Sequence, residues 1–415
     1  MSNSTESSSR PHVVVLGAGF AAFRFLRKID TKAYRVTAVS PRNHFLFTPL
    51  LTGTTVGSVG FRSIIEPLRG ARKDLAFSLG TCTSIDAEAK TVHCQNPLDD
   101  TTFSLEYDRL VIAVGGENNT FGIPGVEEHT HFLKELSDAR AIRQNVTGCL
   151  ERAAVPGVSK EERQRLLHWV IVGGGPTGIE FAAELHDFLK DAGRWYPEEI
   201  KEVTITVLEA MDEILPSFDQ ELQDYALRRF HREGITVHTE SPAEKVERNR
   251  ITLASGETVD CGLVVWSTGI APRPLIRDCD LPKSDKGMLQ TDAHCQVVDH
   301  PELFALGDTA QHRDRALPAT AQVAEQEGKY LADRFNREAK SKKLKPLHFK
   351  SKGMLAYVGG HRALADLPHA QVTGRKAWLF WRSVYLTKLV SVKNKILVAV
   401  DWCLTGLFGR DISRF

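Results

Sequence analysis

Short, unbroken apolar runs recur along the chain, and several of them stop at glycine. His12-Val13-Val14-Val15-Leu16 breaks at Gly17-Ala18-Gly19-Phe20-Ala21-Ala22, and Trp169-Val170-Ile171-Val172 breaks at Gly173-Gly174-Gly175-Pro176-Thr177-Gly178. Helix-forming sequence follows each break, FRFLRKI after the first and IEFAAELHDFL after the second. A continuous run rich in β-branched residues is what a strand buried on both faces of a parallel sheet requires. Each unit then offers a second buried strand ending in glycine, Leu110–Gly115 and Val264–Gly269. The separation from first to second glycine is 98 residues in one copy and 96 in the other. Strand, glycine turn, helix and a second strand at nearly equal spacing form an internal repeat. The pattern predicts an α/β protein with two Rossmann-like dinucleotide-binding domains.

The glycines carry chemistry as well as shape. In G-x-G-x-x-A or G-x-G-x-x-G the first glycine makes the tight turn, the second lets backbone approach a pyrophosphate, and the third small residue lets the helix pack on the strand. The free N–H groups and dipole of the helix N-terminus favour the anion. Gly17, Gly19 and Ala22, with Phe20 beside them, fill these places in the first unit, and Gly173, Gly175 and Gly178, with Thr177, in the second. Two ordinary α/β domains with unliganded glycine turns are the plainer alternative. The second strand of the second unit, Val203–Leu208, ends at Glu209. A carboxylate there accepts hydrogen bonds from ribose hydroxyls and repels a 2′-phosphate, which favours NADH over NADPH. The plainer reading of Glu209 is a solvated strand end. The first unit has Ser40 and Arg42 there and no carboxylate. Ser40 suits a ribose and Arg42 suits adenine stacking or a phosphate.

Composition narrows the class. The chain has 415 residues, 42% hydrophobic and 25% charged, as in ordinary soluble globular proteins. Lys+Arg 53 against Asp+Glu 52 leaves +1, which gives no electrostatic case for nucleic acid. Seven scattered cysteines include no Cys-x-x-Cys pair, so neither a zinc site nor structural disulfides are expected. Linker signals at Phe121–Gly125 and Gly269–Pro274 suggest the layout. Residues 1–10 read as a disordered tail, 11–125 as the first part of one nucleotide domain, 126–270 as the inserted second, 271–345 as the completion of the first, and 346–415 as a C-terminal region. Ser-rich residues 2–9 lack the apolar stretch of a secretory signal and the arginines of a transit peptide.

The tail has a charge of its own. Residues 375–415 hold eight Lys/Arg and two Asp, a net +6, which leaves −5 for the rest. Trp378, Trp381, Tyr385 and Leu389 follow one apolar repeat, and Leu397, Val400, Leu404 and Leu407 another. Two short basic amphipathic helices with tryptophans suit the headgroup boundary of an anionic membrane. A dimer interface or ordinary core helices would leave the same pattern.

With these residues in view, the chain resembles the two-dinucleotide-binding flavoproteins of pyridine-nucleotide-disulphide-oxidoreductase type. Within them it is similar to the type II NADH:quinone oxidoreductases, single-subunit NADH dehydrogenases that do not pump protons. The resemblance runs over almost all of the chain after residue 10. It rests on Phe45–Leu51, Gly173–Glu180, Leu208-Glu209-Ala210, Pro318–Gln326 and the tail Phe408-Gly409-Arg410-Asp411. It implies FAD in the first unit, held by Gly17, Gly19, Phe20, Ala22, Ser40, Arg42, Gly115 and Asp308 of the late Gly307-Asp308 pair, with Ala321 and Gln322. It implies NADH in the second, held by Gly173, Gly175, Thr177, Gly178, Glu180, Glu209, Thr268 and Gly269. The A-Q-x-A-x-Q stretch is associated in this family with a quinone, which gives Ala321, Gln322, Ala324 and Gln326 a substrate role. Pro318 suits the start of a helix on which Gln322 and Gln326, four apart, face one way.

Glu180 matches the family glutamate near the nicotinamide–flavin contact, with gating, proton supply or positioning as roles. A first-turn glutamate complementing the helix dipole is the plainer reading. Glu180, Gln322 and Gln326 are the catalytic candidates, and no metal is expected. The implied reaction passes a hydride from NADH to the flavin and two electrons on to a membrane quinone. The implied setting is a peripheral homodimer on the cytoplasmic face of a prokaryotic inner membrane, with the mitochondrial inner membrane as the alternative. Rivals are a sulfide:quinone oxidoreductase, disfavoured because no cysteine lies between Cys295 and Cys403, a disulfide reductase, disfavoured by the absence of paired cysteines, and an NADH-binding redox sensor.

Overall fold

The computed structural model of the protein describes residues 10–413. The Ser-rich head, residues 2–9, and Arg414 lie outside them. In chain order, the elements that position the site are β1 (His12–Leu16), α1 (Phe20–Lys28), β2 (Arg35–Ser40), β3 (Ala76–Leu79), β4 (Arg109–Ile112), β5 (His131–Phe132), β6 (His168–Val172), α2 (Pro176–Ala192), β7 (Thr204–Leu208), β8 (Ile235–His238), β9 (Leu263–Trp266), β10 (Leu303–Ala305), α3 (Ala321–Glu338), β11 (Met354–Tyr357), α4 (Gly374–Lys388) and α5 (Val392–Phe408). They fall into two compact units, one of residues 10–46, 66–117 and 270–351, the other of 47–65, 118–269 and 352–413.

The first unit is built on a five-stranded sheet in the order β10-β4-β1-β2-β3. All its pairings are parallel, with Val14 opposite both Thr37 and Leu110. β1 is wholly buried, so its Val-Val-Val run packs on both faces. The antiparallel strands Thr81–Asp86, Thr91–Gln95 and Thr102–Glu106 carry Cys82, Val92 and Cys94 into the core shared with Val14, Leu16 and Ile112. α3 lies along α1, and at Gly328 the two are almost in backbone contact: a Cβ there would stand 2.2 Å from the Ala21 carbonyl oxygen. Phe335 of α3 meets Phe25 edge-on at 5.5 Å, and the Tyr34 hydroxyl donates to the Phe335 carbonyl.

α3 begins later than Pro318 suggests. Its first residue is Ala321, and Thr320, in extended conformation, caps it through a side-chain oxygen that accepts from the Val323 N–H. A hydroxyl acceptor satisfies an orphan N–H, which proline at N1 cannot do.

The second unit repeats the plan. Its parallel sheet runs β5-β9-β6-β7-β8, with Val170 opposite Thr206 and Val264. Its own antiparallel meander, Ala243–Glu247, Arg250–Leu253 and Thr258–Asp260, closes a core with Val170, Leu208 and Trp266. In both units the strand before the glycine turn is central.

The C-terminal strands and helices belong to this second unit, and within it part of the aromatic stripe packs as a core. Trp381 is buried, 5.6 Å from the Tyr357 ring and 4.7 Å from Tyr385. Arg382 lies between Trp378 and Trp402, its guanidinium 4.6 and 4.3 Å from their centroids. The tryptophans therefore pack inward, where they find aromatic and cationic partners. α5 is inverted relative to an ordinary core helix. Its polar Asn394 is buried, donating to the carbonyls of Ser63 and Ile65, and Asp401 accepts from the Gly60 N–H and the Ser63 hydroxyl. Val392, Ile396, Val400, Leu404, Leu407 and Phe408 face outward, with Leu407 75% exposed. No helix among the described residues is long and apolar enough to cross a membrane.

The α1–α3 contact gives a stability prediction. Gly328→Ala inserts a methyl group against the backbone of Ala21 and should cost about 1–3 kcal/mol through overpacking. Thermal denaturation reads this directly, and an unchanged midpoint would contradict the close approach.

Candidate functional site

The two glycine turns are the same construction made twice. Gly17 has φ +117° and Gly173 φ +112°, a region that favours glycine. The N–H of Gly17 donates to the Val39 carbonyl and that of Gly173 to the Leu208 carbonyl, both at 2.8 Å. A Cβ on Gly17 would stand 2.1 Å from the Ala113 carbonyl oxygen, and one on Gly173 would stand 2.2 Å from that of Ser267. Each first glycine is therefore the point where the turn presses on the strand end beside it.

The second glycines are different. Nothing lies within 4 Å of a Cβ placed on Gly19 or Gly175. Each is the N-cap of its helix and offers no side-chain acceptor of its own. Ala22 is fully buried, and Gly178 lies so close to the Gly173 carbonyl, 2.0 Å from a Cβ, that only glycine fits. Phe20 meets Phe45 edge-on at 5.0 Å. Open space over a glycine, above an uncapped helix start, fits a pyrophosphate in both units.

Around the first turn, Ser40 ends β2, buried, and its hydroxyl accepts from the Arg42 N–H at 3.3 Å. Asp308 sits in the turn Gly307–Thr309, held from both sides. The Thr309 hydroxyl accepts from the Gly115 N–H at 2.8 Å, and Glu327 accepts from the Gly307 N–H at 2.6 Å. The other Glu327 oxygen meets His312 Nε2 at 3.0 Å. Burial opposes a charged His312, yet the hydrogen bond and charge of Glu327, with Asp292, outweigh it and raise its pKa. On α3, Ala321 and Gln322 are half-buried and Ala324 buried. Gln326 is committed to backbone: its amide donates to the Lys350 carbonyl at 3.0 Å and accepts from the Lys350 N–H at 3.1 Å.

Around the second turn, Glu209 is oriented by its own loop, its carboxylate accepting from the N–H groups of Gly174, at 2.5 Å, and Met211, at 2.8 Å. Thr177 is exposed at the helix start. The Thr268 hydroxyl and the Trp266 indole N–H both donate to the Asn119 carbonyl, while Gly269, φ +114°, has no neighbour within 4 Å of a Cβ.

Glu180 opens a buried carboxylate stripe on α2. Glu180, Glu184 and Asp187 are each less than 8% exposed. Glu180 accepts from the Tyr357 N–H at 3.0 Å and has no ion pair among the described residues. Burial pushes its pKa up to about 8, with help from Glu184, against the Tyr357 N–H and the nearby Trp381 indole, which favour the charged form. That indole nitrogen falls short of hydrogen-bond geometry to any acceptor. Glu184 is also raised by burial, and Arg410 opposes the shift. The spacing of this stripe is visible in the sequence, but acidic residues at helical spacing ordinarily mark a solvated face. Asn119, Thr309, Glu327 and Arg410 carry no sequence signal of the roles the fold gives them.

Comparison with known proteins agrees with this construction. Residues 11–328 match the model of the pyridine nucleotide-disulphide oxidoreductase family, and residues 351–411 match that of the NDH2 C-terminal domain. A probable NADH dehydrogenase of Dictyostelium discoideum is 44% identical over 97% of this chain and 91% of its own. An internal alternative NAD(P)H-ubiquinone oxidoreductase A1, mitochondrial, of Arabidopsis thaliana is 39% identical over 99% of this chain and 87% of its own. The structure of NDH2 from Plasmodium falciparum in complex with NADH superposes with a TM-score of 0.94 at 28% identity, covering 97% of this chain and all of the other. With the repeated cradle, the whole-length relatives and the C-terminal match together, the chain belongs to the type II NADH dehydrogenase (NDH2) family of pyridine nucleotide-disulphide oxidoreductases.

Proposed function

We propose that this chain is an FAD-dependent NADH:quinone oxidoreductase that oxidises NADH and reduces a quinone by two electrons and two protons without pumping protons. The observation that carries the reading is the twin cradle: two uncapped helix starts, each under an open glycine, in units of matching topology. The first unit would hold FAD and the second NADH. When bound, the flavin supplies the two-electron relay between donor and acceptor.

The residues divide by what they can do. Gly17, Gly19 and Ala22 bring α1 to the flavin pyrophosphate, with Phe20, Ser40, Arg42 and Gly115 around it. Asp308, in the clamped turn, would meet the ribityl chain, and Ala321 and Gln322 stand at the start of α3. Gly173, Gly175 and Gly178 do the same for NADH, with Thr177 at the exposed helix start and Thr268 and Gly269 at the strand end beside it. Glu209, already oriented, accepts from the ribose hydroxyls. Glu180, in the first turns of α2, is a buried carboxyl that holds a proton at neutral pH. Gln322 and the small Ala321 and Ala324 suit a flat quinone, whereas Gln326 reaches one only by giving up Lys350.

The outward apolar face of α5, with Lys393 and Lys395 on the same helix, supports attachment to an anionic membrane surface, where a lipid-soluble quinone is met. A homodimer is the second occupant we retain for this face. The mitochondrial naming of the plant relatives favours the mitochondrial inner membrane over a prokaryotic one.

Three outcomes test these assignments. Gly19→Ala should keep stability within about 1 kcal/mol yet lose bound flavin, whereas Gly17→Ala should lose about 2 kcal/mol or more. Full flavin content in purified Gly19→Ala would remove the first cradle from the account. Glu209→Gln should raise the KM for NADH about tenfold, roughly 1.4 kcal/mol, and narrow the preference over NADPH. Unchanged KM and preference would show that Glu209 does not meet the ribose. Glu180 has a folded pKa of about 8, above its ordinary value of 4.5. The pH-dependent penalty of its burial vanishes below that ordinary value, and stability falls as pH rises from it to about 8, by about 1.4 kcal/mol per unit crossed. Chemical denaturation should find Glu180→Gln gaining on the wild type between pH 5 and 8 and no further above. Parallel stability curves would contradict a protonated Glu180.

A further inference from the structure

The tail motif Gly409-Arg410-Asp411 does work that the reaction does not explain. After α5 the chain turns at Gly409, φ +82°, and sends two opposite charges back into the second unit. Arg410, 11% exposed, places Nη2 3.0 Å from Glu184 and Nη1 2.9 Å from Asp191. Its Nε donates to the Ser58 hydroxyl at 2.9 Å, and Ser58 donates in turn to Glu184 at 2.8 Å. Asp411 pairs with the buried Arg143 at 3.2 Å, and the Asp411 carbonyl accepts from the same guanidinium at 2.6 Å.

The groups facing the α2 stripe come from several elements. Tyr357 of β11 donates its hydroxyl to Asp187, and the Gly360 N–H also donates there. Tyr385 and Arg382 approach from α4. His186 and Lys190 of α2, with Arg229 and Glu233, stand around Asp187. Asp187 and Asp191 thus have cationic or potentially cationic neighbours, and Glu184 has Arg410. Glu180 has only a peptide N–H and aromatic surroundings. A desolvated carboxyl without a cation is driven toward its protonated form, and a guanidinium hydrogen-bonded to it favours the ionised form against that burial. Removing one partner of such a buried pair leaves an uncompensated charge.

We propose that Arg410 is a positioning residue for Glu180: the docked C-terminal segment keeps Glu184 ionised and so confines the buried proton of the α2 stripe to Glu180. Without Arg410, Glu184 neutralises itself by taking a proton from solvent, and two adjacent carboxyls then hold protons where one did. The protonation of the helix that begins at the NADH cradle is thereby tied to the docking of the tail that follows the outward-facing α5. Only the catalytic meaning of Glu180 rests on the proposed function; the placement of the proton does not.

Infrared spectroscopy of the purified holoenzyme at pH 7, with glutamate carboxyls isotopically labelled, reads the C=O stretch of protonated side chains. The wild type should show a buried protonated glutamate that is lost in Glu180→Gln. Arg410→Gln should add a second such signal, absent from Arg410→Gln/Glu184→Gln, and Arg410→Lys should keep the wild-type spectrum. The double variant should also recover thermal stability lost in Arg410→Gln, because it removes the buried carboxyl that must otherwise take up a proton at neutral pH. An Arg410→Gln spectrum identical to wild type would overturn the proposal, as would a second signal that survives Glu184→Gln. Should Arg410→Gln not fold, Glu184→Gln alone decides: it must keep the Glu180 signal, and losing it refutes the assignment. Glu180→Gln that keeps full NADH:quinone turnover would instead remove the catalytic reading of Glu180 and leave the spectroscopic result standing.

Discussion

The structure depends on one steric constraint met twice. At Gly17 and at Gly173 the chain passes so near a neighbouring strand end that a Cβ would fall within about 2 Å of a carbonyl oxygen. That crossing brings the turn over the C-terminal edge of the sheet and aims the next helix so that it starts at a glycine with no side-chain cap. An anion with many acceptor oxygens is the natural complement. The remaining features of each unit serve this point: β1 and β6 are central in their sheets, the third small residue seats the helix, and a polar clamp holds the strand end opposite. Two such cradles in one chain amount to two nucleotide sites, and one donor with one resident carrier is the simplest use of them.

A second principle governs the C-terminal part, where polarity is reversed. α5 buries Asn394 and points Asp401 inward while turning valine, isoleucine, leucine and phenylalanine outward. Helices of water-soluble domains bury the apolar stripe. An exposed apolar stripe of this kind is the mark of an interaction surface. The inward polar groups are not left unsatisfied: each finds backbone or side-chain partners in segment 47–65, as buried polar groups must. Arg410 and Asp411 extend the same logic beyond the helix, fastening the chain end by charges rather than by packing.

Much of this was legible in the sequence, for physical reasons that can be named. The cradles were legible because the steric demand at a φ near +115° leaves a glycine in a fixed place after a buried run. The place of Glu209 at the end of β7 was legible from the apolar run before it, whereas its orientation by the Gly174 and Met211 N–H groups was not. α3 starts three residues after Pro318, because Pro318 is compatible with a helix start but Thr320 supplies the acceptor that the N-terminus needs. The apolar repeat of α4 fits a membrane boundary, a dimer interface or a core alike, because periodicity reveals that a face is apolar without revealing what it meets; here Trp381 meets Tyr357 and Trp402. The clamp made by Glu327 and Thr309 and the Arg410 contacts were not legible, since they join residues distant in the chain through side-chain geometry alone.

The central claim is that two nucleotide cradles in one chain connect NADH to a quinone through a bound flavin. The absorption spectrum of the purified protein tests it most directly, recorded as isolated, after NADH, and after a soluble quinone. The account predicts flavin bands at the start, their bleaching by NADH and their return on adding quinone. A colourless protein that takes up no flavin, or flavin bands that NADH leaves unchanged, would contradict it.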